Sequence, residues 1–315
     1  MFIVTYKNFF LGLSLVLTVI ALVAVGVWGL REGIDFKGGA IMEVAYPMGT
    51  RPQPQLVRER VVSFPDTEFG EVLVQPAGEN AIVLRLRDLK EPERVQLLGI
   101  LNSLIQPSAA TTTSTSTAAA QVEQKRFNSI GPVIGSELRQ KSWLAIGTVI
   151  LFIVLFIAFA FRKVSAPVAS WKYGLVAIVA LIHDVVIPTG VMALLGYLYG
   201  TEVDILFVTA LLAILGFSIH DTIVVFDRIR ENLRKHTAKD FEHTVGLSLS
   251  QTIGRSINTS LTVAIVLLAL YFFGGESTKI FALILTIGVI SGTYSSVFLA
   301  SPLLVLVEKL QKKAR

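Results

Sequence analysis

Two ionisable pairs interrupt sequence that is otherwise apolar enough for a membrane. The stretch "ALIHDVVIPTG" contains His183 and Asp184, and "GFSIHDTIVVFDRIREN" contains His220 and Asp221. A charged side chain at the middle of a bilayer costs about 2.5–3.5 kcal/mol on insertion scales, so such residues usually mark ion pathways, proton relays or internal pairs. A buried carboxylate avoids part of that cost when it takes up a proton. These residue types therefore predict proton binding and release inside a membrane.

Arg255, at the start of the next apolar run, is the candidate basic partner of Asp221. Asp221 lies roughly 8 Å and Asp184 roughly 14 Å from the ends of their runs, at 1.5 Å per residue. We therefore expect Asp221 and Arg255 to meet if their helices pack together, with Asp184 able to join the same polar cluster. The alternative is a static pair that only holds helices together. We expect His183 and His220 to be neutral packing residues, although His220 stays in the candidate proton pathway because it adjoins Asp221.

The elements that must position these residues are membrane helices. Of the 315 residues, 53% are hydrophobic and 16% are charged, whereas a soluble domain carries about 25% charged residues. Six apolar runs approach the roughly 20 residues needed to cross a bilayer. They are residues 9–30, 143–161, 175–198, 205–226, 257–273 and 280–307. The sequence therefore predicts an α-helical polytopic protein with six transmembrane helices in a lipid bilayer.

The distribution of Lys and Arg predicts the orientation of these helices. Nearly all basic residues of the short loops and the C-terminal tail fall on the side that carries the N-terminus, and the loops near 199–204 and 274–279 hold only Lys279. By the positive-inside rule, both termini are expected to be cytoplasmic in a cell (inner) membrane. The first run is longer than a signal-peptide core, so we interpret it as a retained helix.

Several classes of function are disfavoured by composition and motifs. The net charge of +5 belongs mostly to the loops, so it does not indicate nucleic-acid binding. The absence of cysteine excludes disulfides and thiolate metal sites. We find no phosphate loop, nucleophile elbow or metal-ligand cluster, so no catalytic residue, metal or cofactor is predicted.

The only long non-membrane stretch is predicted to be a small extracytoplasmic head domain between helices 1 and 2. The domains are residues 1–30 (helix 1), 31–140 (head) and 141–315 (helices 2–6 with cytoplasmic loops and tail). Strand patterns at 40–47, 71–76, 81–87 and 122–131 alternate with helical patterns at 54–64 and 91–105. The order β-α-β-β-α-β predicts an α+β, ferredoxin-like sandwich. The low-complexity stretch 107–120 is predicted to be an exposed loop.

Pairs of glycines occur at the junction between helix 1 and the head domain and within the last apolar run. In "GIDFKGG", Asp35 precedes Gly38 and Gly39, which allow backbone conformations closed to other residues. This junction is either a tight turn or a hinge between membrane and head. Gly288 and Gly292 lie four residues apart in the last run, which predicts close helix packing, with a pathway lining as the alternative.

Several motifs together resemble the SecF branch of the SecD/SecF family of accessory protein translocases. They are "GIDFKGG", "IGPVIGSELRQKS", "IHDVVI", "GFSIHDTIVVFDRIREN", "QTIGRSINTSLT" and "SGTYSSVFLASPLL". The resemblance covers residues 5–308. One departure is His220, where many members of the family carry Asn.

The resemblance implies a function in protein export. The family belongs to the resistance–nodulation–division superfamily of proton-driven transporters, with six membrane helices and an extracytoplasmic head. It implies a complex with SecD, association with the SecYEG channel, YajC as a further partner, and use of the proton-motive force to move preproteins outward. By motif, Asp221 would be the proton-binding acid and Arg255 its basic partner. Two alternatives remain open: a passive scaffold for SecD or the channel, and a small-molecule or lipid exporter of the wider superfamily.

Overall fold

The computed structural model describes residues 2–64, 69–105, 121–160 and 168–313. The predicted loop 107–120 lies outside these residues. The chain divides into two compact units, one made of Met1–Arg31 and Ser142–Arg315 and the other of Glu32–Lys141. Helices predominate, and the second unit contains a small sheet.

The helices of the described residues follow one another in chain order. They are α1 (Phe2–Thr5), α2 (Lys7–Trp28), α3 (Ile34–Lys37), α4 (Pro54–Val62), α5 (Glu91–Ser103), α6 (Pro132–Ala160), α7 (Ser170–Tyr199), α8 (Ile205–Arg234), α9 (Phe241–Phe273), α10 (Glu276–Tyr294) and α11 (Ser301–Lys313). A π-helical segment, Ser295–Ala300, joins α10 to α11. The last predicted run is therefore continuous but changes its helical winding in the middle.

Within the described residues, six helical spans are long and apolar enough to cross a membrane, as predicted. They are Lys7–Trp28, Pro132–Ala160, Trp171–Tyr199, Ile205–Arg234, Phe241–Phe273 and Glu276–Lys312. About half of the residues in the apolar windows of the third, fourth and sixth spans are buried, against 6% in the second span. The interior of this unit is thus built mainly from α7, α8 and the helices that flank the π-helical segment. The second span leaves an apolar surface suited to lipid or to other membrane helices.

Glycines allow the closest helix contacts of the membrane unit. A Cβ atom at Gly288 would lie 2.1 Å from Cδ1 of Ile214, and one at Gly292 would lie 3.1 Å from Cβ of Ser218. Both contacts join α10 to α8. A Cβ at Gly190 on α7 would lie 2.6 Å from Cα of Ala21 on α2. Side chains at these positions would push the helices apart, so the glycines set the distances at which neighbouring polar groups can meet.

Carboxylates cap the two helices that carry the predicted site. Asp204 accepts a hydrogen bond from the backbone N–H of Phe207 at 2.9 Å at the start of α8. Asp240 accepts one from the backbone N–H of His243 at 2.7 Å at the start of α9. This bond, together with the His243 ring, holds the pKa of the Asp240 carboxyl below its usual value. These caps satisfy backbone donors that would otherwise be orphaned, and so define where each helix begins.

The second unit contains a four-stranded antiparallel sheet. Its strands are β1 (Gly39–Ala45), β2 (Leu73–Ala77), β3 (Ala81–Leu86) and β4 (Glu123–Ile130), in the spatial order β2-β3-β1-β4. With α4 and α5 between them, the chain order is β-α-β-β-α-β. One core is shared by the strands and the two helices, and it includes Met42, Val44, Val57, Val61, Ile82, Leu84, Leu97 and Leu101. Alternate residues of β1 and β3 enter this core, as expected for strands with one buried face.

The stretch that leads into β1 requires its two glycines. Asp35 lies in the first turn of the short helix α3. Gly38 and Gly39 follow with φ of +79° and +125°. A Cβ at Gly38 would lie 2.8 Å from Cα of Pro132, and one at Gly39 would lie 2.9 Å from the carbonyl oxygen of Leu86. Positive φ and close backbone contact both exclude larger residues, so this segment is a tightly packed turn.

Candidate functional site

Asp184, on α7, is 0% exposed and lies at the centre of a cluster of hydroxyl groups. Its Oδ2 atom accepts hydrogen bonds from Ser218 of α8 and, at 2.6 Å, from Ser295 of the π-helical segment. Ser291 of α10 lies 3.4 Å from Oδ1. Three serines, from α8, α10 and the π-helical segment, thus converge on one carboxyl group. This arrangement gives both of its oxygens a hydroxyl neighbour without a Lys or Arg.

His183 completes this cluster, which we call the Asp184 site. Its Nδ1 atom lies 2.9 Å from Oδ1 of Asp184. The ring is 3% exposed and stacks against the ring of Tyr294 at a centroid distance of 6.0 Å. The expectation that His183 is a hydrogen-bonded interior residue fits this position.

Asp221, on α8, is bound far more sparsely, in what we call the Asp221 site. It is 5% exposed, and its Oδ1 atom accepts one hydrogen bond from Ser256 of α9 at 3.1 Å. Its Oδ2 atom is buried without a hydrogen-bond partner. A buried carboxylate oxygen that lacks a donor loses solvation without compensation.

Arg255 and His220 do not complete the Asp221 site in this structure. No ion pair joins Arg255 to Asp221 within the described part of the chain, and both Arg255 and His220 have exposed side chains. The expected direct contact between Asp221 and Arg255 is therefore not formed here. The physical reason is the helical turn: Ser256, one residue further along α9, faces Asp221, and Arg255 is rotated by roughly 100° away from it.

Hydroxyl groups lie between helices along the same interface. Thr222 of α8 contacts Ser296 of the π-helical segment at 2.9 Å, and Ser260 of α9 contacts Thr293 of α10. The first contact continues the interface from the Asp184 site, and the second lies one helical turn beyond Ser256. The two carboxyl sites therefore belong to one polar interior, although Asp184 and Asp221 are not directly bonded to each other.

Sequence reasoning missed most of the serines that build these sites. Ser218 and Ser256 were not singled out. A signal was present, because Ser218 precedes Asp221 by three residues and so lies near it on α8. Its bond to Asp184 could not be inferred, since it depends on how α7 packs against α8.

The described residues contain no group of three or more His, Cys, Asp or Glu side chains that could hold a metal ion. The polar side chains of the two sites are carboxyl, imidazole and hydroxyl groups. These groups bind and release protons and exchange hydrogen bonds.

Comparison with known proteins identifies the family. The model of the SecD/SecF protein export membrane protein family, C-terminal part, matches residues 110–310. The protein translocase subunit SecF of Thermobaculum terrenum is 42% identical over 315 residues, covering 96% of this chain and 92% of that protein. The SecF subunits of Anaerolinea thermophila and Pseudomonas aeruginosa are 37% and 33% identical, over 96% and 95% of this chain and 92% and 89% of theirs.

The solved structures point the same way. SecDF of Thermus thermophilus, described as a translocon-associated membrane protein, aligns with a TM-score of 0.76 and 29% identity over 99% of this chain. The alignment covers 38% of that SecDF chain, so the present chain spans well under half of its length. Together with six apolar helices, these relatives make the chain a multi-pass membrane protein with a part in protein transport. The chain belongs to the SecF family of protein translocase subunits.

Proposed function

We propose that this chain acts beside SecD as a proton-driven subunit that promotes preprotein export through the SecYEG channel, with YajC as a further associate. The observation that carries the proposal is the buried, half-satisfied carboxyl group of Asp221. The association with SecD is supported by the SecF relatives and by the SecDF structures, in which the matching part is one portion of a longer chain.

The first step of the argument concerns the charge on Asp221. An ionised carboxylate within a membrane helix costs several kcal/mol unless donors or a cation compensate it. Ser256 supplies one donor, and Oδ2 has none. Protonation of Asp221 removes the negative charge of its carboxyl group. Loss of that proton restores the charge, which then needs a hydrogen-bond donor or a cation to compensate it. Loading and release of a proton therefore change what Asp221 must contact.

In this proposal, Arg255 is the cation that compensates the charge of ionised Asp221. It adjoins Ser256, which already contacts Asp221, so a turn of α9 by roughly 100° would exchange a hydroxyl donor for a guanidinium. A guanidinium adds the attraction of an opposite charge and can donate two parallel hydrogen bonds to a carboxylate, which gives the ionised state a reason to favour the turned helix. Proton transfer would in this way be coupled to helix movement. One charge crossing 100 mV releases about 2.3 kcal/mol, which is enough to shift such an equilibrium by tens of times.

The orientation follows from the positive-inside rule. The termini and basic loops are cytoplasmic in this proposal, and the unit Glu32–Lys141 is the extracytoplasmic head. The antiparallel order β2-β3-β1-β4 with two helices on one core supports a ferredoxin-like fold for this head. The packed turn at Gly38 and Gly39 is short and sterically constrained, so it is suited to passing helix movement to β1.

The decisive test is Asp221→Asn, assayed with SecD and SecYEG in proteoliposomes or cells. The amide cannot release a proton at this position, so the part of export that depends on the proton-motive force should fall to the level measured without a gradient. Assembly with SecD, measured by co-purification, should be normal.

The matched control is Asp227→Asn. Asp227 lies on the same helix, but its side chain is 59% exposed and pairs with Arg230 at 2.8 Å. The Asp227→Asn variant should show the same gradient-dependent export as the unmodified protein. Unchanged export in Asp221→Asn, with normal assembly, would favour a passive scaffold over the proton-driven subunit.

A further inference from the structure

The imidazole of His183 has an unusual environment for a packing residue. It is 3% exposed, and its Nδ1 atom lies 2.9 Å from Oδ1 of Asp184. Its Nε2 atom is buried and has no hydrogen-bond partner. Buried ring nitrogens normally find a partner, so an unpaired one needs an explanation.

The hydrogen bonds around Asp184 constrain the protonation of this ring. Oδ2 of Asp184 accepts from Ser218 and Ser295, so it carries no proton, and the proton shared with His183 lies between Oδ1 and Nδ1. An ionised Asp184 requires His183 to donate through Nδ1–H. In the neutral imidazole, Nε2 then carries the lone pair. The unpaired nitrogen is thus an acceptor with no donor in reach.

We propose that His183 and Asp184 form a second proton-binding site, in which Nε2 of His183 takes up the proton while Asp184 holds the ring through Nδ1. Uptake forms a new N–H bond at the Nε2 lone pair and changes the charge of the pair from −1 to 0. The proton comes from water that reaches Nε2, and release breaks the same N–H bond and returns the proton to water. This site rests on the proposed proton-driven function and adds a second carrier to the same membrane unit.

The groups that face the pair come from every helix packed around it. Asp184 is on its own helix, α7, and Ser218 comes from α8. α10 contributes Tyr294, whose ring stacks on His183 and whose hydroxyl group contacts Ser14 of α2 at 3.2 Å. No Lys or Arg is among these described contacts. The imidazolium formed on proton uptake would therefore be the only cation in contact with Asp184, and proton binding would neutralise a buried charge.

The second histidine-aspartate pair of the chain lacks these properties. The His220 side chain is exposed, and no hydrogen bond from its ring to Asp221 is formed in the described part of the chain. The shared tripeptide Ile-His-Asp therefore carries a dyad only where α7 is surrounded by α2, α8 and α10.

The chain has four histidines, so His183 can be observed alone. The variant His220→Gln, His236→Asn, His243→Gln, labelled with 15N-histidine and reconstituted with SecD in lipid, leaves one imidazole for solid-state NMR. The expected spectrum at high pH shows a protonated Nδ1 and an unprotonated Nε2. As the pH falls, the Nε2 resonance should move into the protonated range while Nδ1 stays protonated.

A ring that keeps Nε2 protonated and neutral at every pH, or that never changes between pH 5 and pH 9, would overturn this proposal. A second variant, His183→Gln, should alter the pH profile of gradient-dependent export while co-purification with SecD stays normal. Its matched control is His236→Asn, an exposed site in the loop after α8, which should keep the wild-type profile. An unchanged profile in His183→Gln would also contradict the proposal.

The two proposals fail in distinguishable ways. If Asp221→Asn leaves export intact, proton drive is wrong, whatever the NMR titration of His183 shows. If His183 does not titrate while Asp221→Asn abolishes gradient-dependent export, only the second proton-binding site is wrong.

Discussion

Asp184 and Asp221 follow the same dipeptide, Ile-His, on consecutive helices, yet their surroundings are opposite. Asp184 is contacted by three serine hydroxyls and an imidazole, whereas Asp221 accepts one hydrogen bond, from Ser256, has the Thr293 hydroxyl nearby and keeps one oxygen unpaired. The histidines differ in the same sense: His183 is interior and His220 is exposed. Near-identical local sequence thus gives two different carboxyl groups. We call Asp184, which has hydrogen-bond partners on both oxygens, the anchored carboxyl group, and Asp221, which has an unpaired oxygen, the poised one.

The difference shows how the interior of the membrane unit can hold some helices in fixed positions while the contacts of another carboxyl group change. A buried carboxyl group with all its partners present fixes the helices that supply them, because any movement leaves several donors unsatisfied. A carboxyl group with one partner gives up little when that partner moves. The Asp184 site can therefore align α7, α8 and α10, and the Asp221 site can respond to protons without dismantling that alignment.

The π-helical segment is the structural source of this asymmetry. It begins at Ser295 and brings Ser295 to Asp184 and Ser296 to Thr222. π-Helical turns are rare and occur often at functional sites. Asp221 faces α9 instead, which has regular winding and offers Ser256.

The largest expected effect comes from removing each carboxyl group in turn. Asp184→Ala should lower the free energy of unfolding by about 3 kcal/mol, since it leaves buried donors unsatisfied at about 1–3 kcal/mol each. Asp221→Ala should cost less than about 1 kcal/mol, because it removes one hydrogen bond and also a poorly solvated carboxyl. Unfolding in mixed micelles, as denaturing detergent is added, measures both. Equal decreases in the free energy of unfolding for the two variants would contradict the difference between the Asp184 and Asp221 sites.

A smaller effect is expected where α10 packs on α8, the contact that brings Ser291 near Asp184. Gly288→Ala places a methyl group where Ile214 now lies, so it should destabilise the protein by about 1–3 kcal/mol. Gly216→Ala is the matched control on α8. A Cβ there meets nothing within 4 Å, and the change should stabilise the helix by about 0.5–1 kcal/mol. The same unfolding assay should give opposite signs, and a neutral Gly288→Ala would show that this contact is not tight.

The smallest expected effect distinguishes the serine donors. Ser218→Ala and Ser256→Ala each remove one hydroxyl, at a cost of about 1 kcal/mol in stability. Only Ser256→Ala should change gradient-dependent export strongly, since Ser256 is the hydroxyl that Asp221 exchanges in the proposed cycle. Parallel assays of unfolding and export separate the two effects. A larger export defect in Ser218→Ala would reverse the assignment of anchored and poised sites.

Most of the secondary structure could be predicted from the local spacing of apolar and polar residues in the sequence. The alternation in 40–47 and 81–87 predicted β1 and β3, and the pattern in 91–105, with Pro and acids at its start, predicted α5. The six membrane spans followed from length and hydropathy alone. Such features are local because each depends on the period of its own side chains and on the solvent that they face.

The site was accessible only in part. Asp184 and Asp221 stood out because charge is costly in apolar sequence, and helical depth predicted that Asp184 could join the polar cluster of Asp221. The contact between Asp221 and Arg255 was expected from depth, but depth does not give the rotation of a helix, and Ser256 occupies that direction in the structure.

The sequence by itself determined that this chain crosses a membrane and carries buried acids on its third and fourth spans, because hydrophobic length and isolated charge are properties of single segments. Only the tertiary structure decided which acid is anchored and which is poised. That distinction depends on hydroxyl groups contributed by α8, α9, α10 and the π-helical segment, and on glycines that let these helices approach closely. Hydrogen bonds require donors within about 3 Å, so their pattern emerges only when helices distant in sequence are packed together.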